Sequence, residues 1–292
     1  MVTPKPDTPP ETLDVILRTH DPARLDELGR ALFSALLQDH RPTTLTIVCQ
    51  RFPEPALHAL ETLLTPLRTI EPGVPIQVLN HTDPHPIDAR AALLNRGLQA
   101  TTGRYTAFLD YDDLIYPEAY RLLIAELQAN PAAPAIAFGG ILTTTVTRQG
   151  LVPITLNKQH VFQGEGLAQL LRSNFCPLHS FVLDRTRIPP DHLHFDETLT
   201  ALEDYDFLLR ICASHPSSFR LKDRIVGEYL LKDDGSNANP LAQGGTAADW
   251  GPALAEIERR KSHLVLSPTV LAQLADPNTT IAAFLARHPP RP

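Results

Sequence analysis

The feature that most constrains this chain is a rhythm in its first half. Four short apolar runs, Leu13–Leu17, Leu45–Cys49, Ile76–Leu79 and Tyr105–Leu109, are each followed by a helix-sized stretch. Those stretches are Pro22 to about Gln38, Glu54 to about Leu67, Asp88–Ala100 and Pro117–Ala129. Apolar runs of strand length suit strands covered on both faces, and the helices between them supply the crossovers that parallel pairing requires. The first crossover opens with Arg18-Thr19-His20-Asp21, where Asp21 suits a helix N-cap and Pro22 is pre-set for a first helical turn. The pattern predicts an α/β fold with a mixed, mainly parallel sheet flanked by helices.

After Pro134 the spacing changes. Strand-like segments at Ala135–Phe138, Thr143–Thr147, Leu151–Leu156, Ser180–Leu183 and Arg224–Leu230 accompany a helix from Glu203 to about Ser214. The reading is a Pro-rich, disordered N-terminus over 1–12, one domain over 13–238 with its halves meeting near 133/134, and a C-terminal helical extension over 239–292. Pro252–Lys261 is the extension's clearest helix.

Composition narrows the function. The apolar share of 43% suffices for a sizeable core, while the formal charge of −7 and the lack of a basic run argue against nucleic acid as a partner. Cys49, Cys176 and Cys212 lie far apart, which fits neither a disulfide framework nor a zinc knuckle and suits a reducing compartment. No run approaches the ~18–20 apolar residues of a membrane span, and the first dozen residues hold no signal-like stretch. The expected location is cytoplasmic, with peripheral attachment at the inner face of the membrane left open, as is a homo-oligomer.

Two acidic motifs carry the chemistry. Phe108–Asp113 (FLDYDD) places three carboxylates where a buried strand runs out, at the sheet edge where open α/β sheets bind ligands. Clustered carboxylates repel unless a cation is present, and Mg2+ or Mn2+ held by carboxylates and substrate phosphate is the economical choice. Asp110 and Asp113 also suit turn and capping positions. The second motif, Ala201–Ile211 (ALEDYDFLLRI), begins a helix with Glu203 and Asp204 in its first turn. The helix dipole favours acids there, and a cleft-facing general base would occupy the same place.

Taken together, these motifs resemble family 2 glycosyltransferases, which have the GT-A fold. The family pattern RxxxxNxGLxxAxGxYxAFLDxDD is matched by Arg90, Asn95, Gly97, Leu98, Gly103, Tyr105 and Ala107 through Asp113, with 15 residues from Asn95 to Asp110. Phe195–Arg210 (FDETLTALEDYDFLLR) resembles the second signature, FDExLxxxEDxDLxLR, and Glu228–Asn237 the late strand and loop. The likeness runs from about Leu13 to Asn237.

The resemblance implies a nucleotide-binding half (13–133), an acceptor half (134–238) and residue roles. Asp110 and Asp112 form the DxD element that holds Mn2+ or Mg2+ and the donor. Thr19 and Arg90 also contact the donor, Asp204 with its neighbour Glu203 is the catalytic pair, and His179 within Phe175–Thr186 touches the acceptor. The implied reaction is inverting, metal-dependent transfer from a nucleotide-diphosphate sugar to a hydroxyl of a glycan, polysaccharide or cell-envelope precursor. The chain departs from the family in three places. Cys49-Gln50-Arg51-Phe52 replaces the usual Asp-Asp-Gly-Ser after the second strand, Leu94 replaces an Arg, and Lys232, Asp233 and Asp234 stand where a late-loop His is common. Asp233 is a further ligand candidate. Two rivals stay open: a nucleotidyltransferase, although Arg18–Gly29 lacks a glycine-rich phosphate loop, and a catalytically degenerate binding or scaffold protein on the same fold.

Overall fold

In the computed structural model, which describes residues 11–149, 152–233, 251–275 and 280–287, a single mixed sheet runs through both halves of the chain. The first half supplies β1 (Leu13–Thr19), α1 (Leu25–Leu36), β2 (Thr43–Gln50), α2 (Glu54–Ile70), β3 (Ile76–His81), α3 (Arg90–Ala100), β4 (Tyr105–Asp110), β5 (Leu114–Ile115) and α4 (Ala119–Ala129). The second supplies β6 (Ile136–Gln149), β7 (Val152–Gln159), α5 (Leu167–Leu170), β8 (Phe181–Asp184), α6 (Glu203–Ser214) and β9 (Ser217–Lys232). Helices α7 (Gly251–Lys261), α8 (Pro268–Leu274) and α9 (Ile281–Arg287) follow. Strand order is β3-β2-β1-β4-β8-β6-β9-β5, with β7 paired to β6.

The alternating side chains of the central strands sort the core into two layers. Leu13, Val15 and Leu17 of β1, with Tyr105, Ala107 and Leu109 of β4, face α1, α2 and α4. Ile16 and Phe108 face the opposite way, onto α3 and α6. Both sets are fully buried, which is why these strands read as unbroken apolar runs. The C-terminal helices extend the second layer through Ala253, Ile257, Val270, Ile281 and Phe284.

The pairing of β1 fixes where ligands can go. It is parallel to β2 on one side and to β4 on the other. The chain therefore leaves β1 toward β2 and β3, then returns to its far side, and a crevice opens at the carboxyl ends of β1 and β4. Arg18 stands opposite Asp110 in that register.

Several boundaries differ from the sequence reading. Asp21 caps a short 3₁₀ turn over Pro22–Arg24 by accepting from the Ala23 N–H at 2.9 Å, and α1 starts only at Leu25. The segments expected as separate strands at Ala135–Phe138 and Thr143–Thr147 are one 14-residue strand, β6. Its register shifts at Gly139 and Gly140, where an added Cβ would lie 2.6 Å from a Val226 methyl and 2.5 Å from the Lys222 carbonyl oxygen. The glycines that looked like a break let β9 pack closely. Strand β9 is correspondingly long, beginning at Ser217 rather than Arg224. The expected disordered terminus 1–12, apart from Glu11 and Thr12, lies outside the described residues, as do Leu151, Asp234 and 239–250.

Helix α3 sits on β1 with no room to spare. A Cβ on Gly97 would lie 2.4 Å from Ile16 Cγ2. Replacing a mid-helix glycine by alanine normally gains up to ~1 kcal/mol, whereas overpacking costs about 1–3. Gly97→Ala should therefore destabilise the chain in urea melts. In an Ile16→Ala background the same change should be neutral or stabilising, because the clashing methyl is gone.

Candidate active site

Arg18 organises the crevice. From the end of β1 its Nε donates to Asp110 Oδ1 at 2.5 Å and its Nη2 to Asp110 Oδ2 at 3.2 Å, while Nη1 donates to Glu203 Oε1 at 2.7 Å. One guanidinium thus joins the two acidic motifs, which lie in different halves of the chain. Burial disfavours the Arg18 charge, but Asp110 and then Glu203 outweigh it and hold Arg18 protonated. Burial likewise pushes the Asp110 carboxyl up, and Arg18 more than offsets this, leaving it below the usual carboxylate range.

The DYDD turn is closed by the Asp113 N–H donating to the Asp110 carbonyl at 3.2 Å. Asp113 is buried; its Oδ1 accepts from the Leu230 N–H of β9 at 3.0 Å, and its Oδ2 lies 3.1 Å from His179 Nδ1. Asp112 instead meets Lys232 at the end of β9, with Oδ2 2.6 Å from Nζ. Lys232 Nζ is also 2.9 Å from Glu27 Oε2 of α1 and 5.4 Å from the Tyr111 ring centroid. Burial, and then the charge of Asp113, push the Asp112 carboxyl up to about 7 despite Lys232.

The first turn of α6 carries three acids with different partners. Glu203 holds Arg18, and Asp206 holds Arg210 and Arg260, each at 2.8 Å. Asp204 has no ion-pair partner among the described residues; it accepts from the Tyr205 N–H at 2.7 Å and from Asn174 Nδ2 at 3.5 Å. Burial, and then the Glu203 charge, raise its carboxyl to about 7. Leu202, just before the helix, has φ 62° and ψ 21°. For a non-glycine residue this left-handed backbone is strained, and it sets how the Glu-Asp pair enters the crevice.

The other expected site residues divide. Arg90 opens α3, grips Asp88 with Nη2 at 2.6 Å from Oδ2, and feels the charges of Glu203 and Arg18. It therefore belongs to the same neighbourhood. Thr19 is 1% exposed, so its hydroxyl points into the protein. His179 is a correction: it has no exposed surface, and the chain is buried from Cys176 through Asp184. It braces Asp113 from within the core and presents nothing to an acceptor. Asn174, just before that buried stretch, is the residue there that reaches Asp204.

The carboxylates expected to hold a metal hold side-chain cations instead. Both Asp110 oxygens are on Arg18 and Asp112 Oδ2 is on Lys232. Among the described residues no three His, Cys, Asp or Glu side chains converge as metal ligands. A divalent ion could bind these carboxylates only by displacing Arg18 or Lys232 or by sitting against their charge. Sequence reasoning missed Arg18 and Asn174, and the only hint of Arg18 was a charged residue ending an apolar strand. The end of β2 also differs from its expected use. Gln50 Nε2 donates to the Ile87 carbonyl at 2.8 Å, and Arg51 donates to the carbonyls of Asp83 (2.5 Å), Ile87 (3.0 Å) and Pro86.

A cavity of about 1480 Å³ lies in the second half and has none of these acids in its wall. Arg172 and Ser173, immediately before Asn174, line it together with Phe162, Lys222 and Lys261.

Comparison with known proteins agrees with this layout. The family model described as glycosyl transferase family 2 matches residues 85–179. No curated protein matches the chain. Among solved structures, S. aureus TarS 1-349 in complex with UDP-GlcNAc is 16% identical with a TM-score of 0.60, covering 95% of this chain and 72% of that one. The mannosyltransferase PcManGT from Pyrobaculum calidifontis, in complex with GDP-Man and Mn2+, is 16% identical with a TM-score of 0.55, covering 98% and 81%. The chain spans only 43% of the longer TarS chain and 60% of one TarS 1-349 structure. These likenesses establish a GT-A-like fold. Among the described residues no helix is long and apolar enough to cross a membrane.

Removing the central cation should be severe. Arg18→Met leaves buried Glu203 and half-buried Asp110 without the guanidinium, and breaking a buried pair costs about 3–5 kcal/mol. Arg18 holds the Asp110 carboxyl down, so the stability it supplies there is present only where that carboxyl is ionised, and the variant's deficit in denaturant melts should grow as pH rises through the carboxylate range. Arg18→Lys, which keeps the charge but not the fork, should lose less.

Proposed function

We propose, for a chain whose residues 85–179 belong to glycosyl transferase family 2, that it transfers a sugar from a nucleotide-diphosphate donor to an acceptor hydroxyl with inversion at the anomeric carbon. The observation that carries this reading is the state of Asp204. It is the one acid in the first turn of α6 with no cationic partner among the described residues, and it sits beside the Arg18–Asp110 pair that ends β1 and β4. A carboxylate raised to about 7 is matched to taking a proton near neutral pH.

In the proposed step Asp204 removes the acceptor proton as that oxygen bonds to the anomeric carbon. The bond from that carbon to the diphosphate oxygen breaks on the opposite face, and the nucleoside diphosphate leaves with the electron pair. Asn174 orients the base through its amide. Glu203 acts as a positioning residue: it is committed to Arg18 and fixes the helix start against the donor strands. Arg90 and the backbone around Thr19 complete the donor side, and the acceptor enters past Asn174 from the side of the large cavity. The family's metal is Mn2+ or Mg2+. Such an ion would meet Asp112 only by displacing Lys232 or by sitting against its charge. The carboxylates at 110, 112 and 204 favour an enzyme over a degenerate scaffold. The turn after β1, capped by Asp21 rather than built of glycines, favours it over nucleotidyl transfer.

Asp204→Asn should reduce turnover by about 10²–10⁴-fold with nucleotide binding nearly unchanged in calorimetry. In the unaltered chain kcat/KM should rise with pH through about 7 and then level, since only the ionised carboxylate can act. Asp204 binds its proton more tightly folded than unfolded, so it costs stability progressively as pH rises from about 4 toward 7. The Asn variant should therefore melt a few degrees higher at pH 8 and show little gain at pH 4. Release of pyrophosphate instead of a nucleoside diphosphate, or full activity in the Asn variant, would refute the assignment.

A further inference from the structure

We infer that the Lys232 ammonium takes the seat on the second DxD carboxylate, Asp112, where a GT-A site would hold a divalent metal, and neutralises it so that a donor diphosphate binds without one. The inference rests on the sugar-transfer reading above and adds what keeps Asp112 from repelling the donor. Lys232 Nζ lies 2.6 Å from Asp112 Oδ2 and 2.9 Å from Glu27 Oε2, and its side chain is only 4% exposed. Asp112 remains 25% exposed, so the pair has its acidic member toward solvent and its cation behind. Arg24 Nη1 lies 3.5 Å from the other Glu27 oxygen and its Nε 3.2 Å from Asp21 Oδ2, so charges of both signs alternate across the group. A divalent ion seated on Asp112 would have to displace the ammonium or sit against a like charge.

The placement is built into the sheet. Asp113 accepts from the Leu230 N–H at 3.0 Å, which registers the end of β9 against the DYDD turn. Lys232 is two residues further along the strand, so its side chain leaves on the same side as that of Leu230. His179, 3.1 Å from the other Asp113 oxygen, braces the same joint from the core. The third acid of the motif therefore positions the lysine that meets the second. Held behind Asp112, the ammonium removes that carboxylate's repulsion of an approaching phosphate.

The test uses the full chain, with UDP, GDP, ADP, CDP and dTDP as calorimetric probes in EDTA and in Mn2+, and Mn2+ alone titrated by electron paramagnetic resonance. The unaltered protein should bind its preferred diphosphate equally well in EDTA and in Mn2+. Lys232→Met should lose about tenfold or more in EDTA, because Asp112 is then unneutralised against the diphosphate, and recover when Mn2+ is added. It should also bind Mn2+ alone about tenfold or more tightly than the parent, because Asp112 is released from the ammonium. Lys232→Arg, which keeps a cation there, should retain metal-independent binding and guards against a folding defect in the Met variant. A parent that binds nucleotide only with Mn2+, or that binds Mn2+ as tightly as Lys232→Met, overturns the inference. If no diphosphate binds under either condition, the sugar-transfer reading fails, and with it the lysine's role toward the donor. The Mn2+ titration then separately decides whether Lys232 holds the metal's place.

Discussion

Arg18 lies between carboxylates 92 and 185 residues away in sequence, Asp110 and Glu203, and much of the site depends on it. A guanidinium is the side chain suited to this task, because its planar fork can meet one carboxylate with two donors and a second with a third. The arrangement binds the end of β4 to the start of α6 across the crevice. Burying three charges together is a poor source of stability compared with apolar packing, so its value here is geometric. With Arg18 in place, the two acidic motifs face one space; without it they would repel.

The acids around that space are distinguished by their partners. Asp110 and Glu203 share Arg18, Asp112 meets Lys232, Asp113 lies beside the His179 ring, and Asp206 meets two arginines. Among the described residues Asp204 alone in its helical turn is left to hydrogen bonds, from a neighbouring amide N–H and from Asn174. Carboxylates of identical chemistry are thereby separated by environment, with Asp204 the proton acceptor of the proposed step. The strained backbone at Leu202 fits the same logic, since it turns the Glu-Asp pair so that adjacent residues meet opposite fates.

The sequence displayed the first half of the fold clearly, because β1, β2 and β4 are buried on both faces and each is followed by a helix of matching length. It displayed β6 and β9 poorly. Gly139 and Gly140 look like a terminator when read locally, and only the approach of β9 explains them. The two acidic motifs were visible because each is contiguous. Their partners were not: Arg18, Asn174 and Lys232 reach the site through sheet register and chain crossings that no local pattern encodes. His179 went astray for a related reason. A histidine in a loop-like stretch suggests a surface role, yet a 3₁₀ turn over Leu178–Ser180 and strand β8 carry that stretch through the core.

The altered end of β2 shows how a departure from a family pattern can be structural as well as chemical. Where an acid would stand to read a nucleobase, Gln50 and Arg51 direct their side chains at the backbone carbonyls of Asp83, Pro86 and Ile87. Arg51 adopts φ 54° while doing so, and Gln50 also accepts from the Ala89 N–H at 3.1 Å. The pair thus fastens the segment that leads into α3 and presents Arg90 near Glu203. Donor groups used in this way cannot also serve as carboxylate acceptors for a base edge. For the proposed donor, base selection therefore cannot rest on a carboxylate at the end of β2. A site without that acceptor discriminates bases less sharply, so a chain built this way should tolerate more than one nucleotide where a carboxylate-bearing relative would accept one.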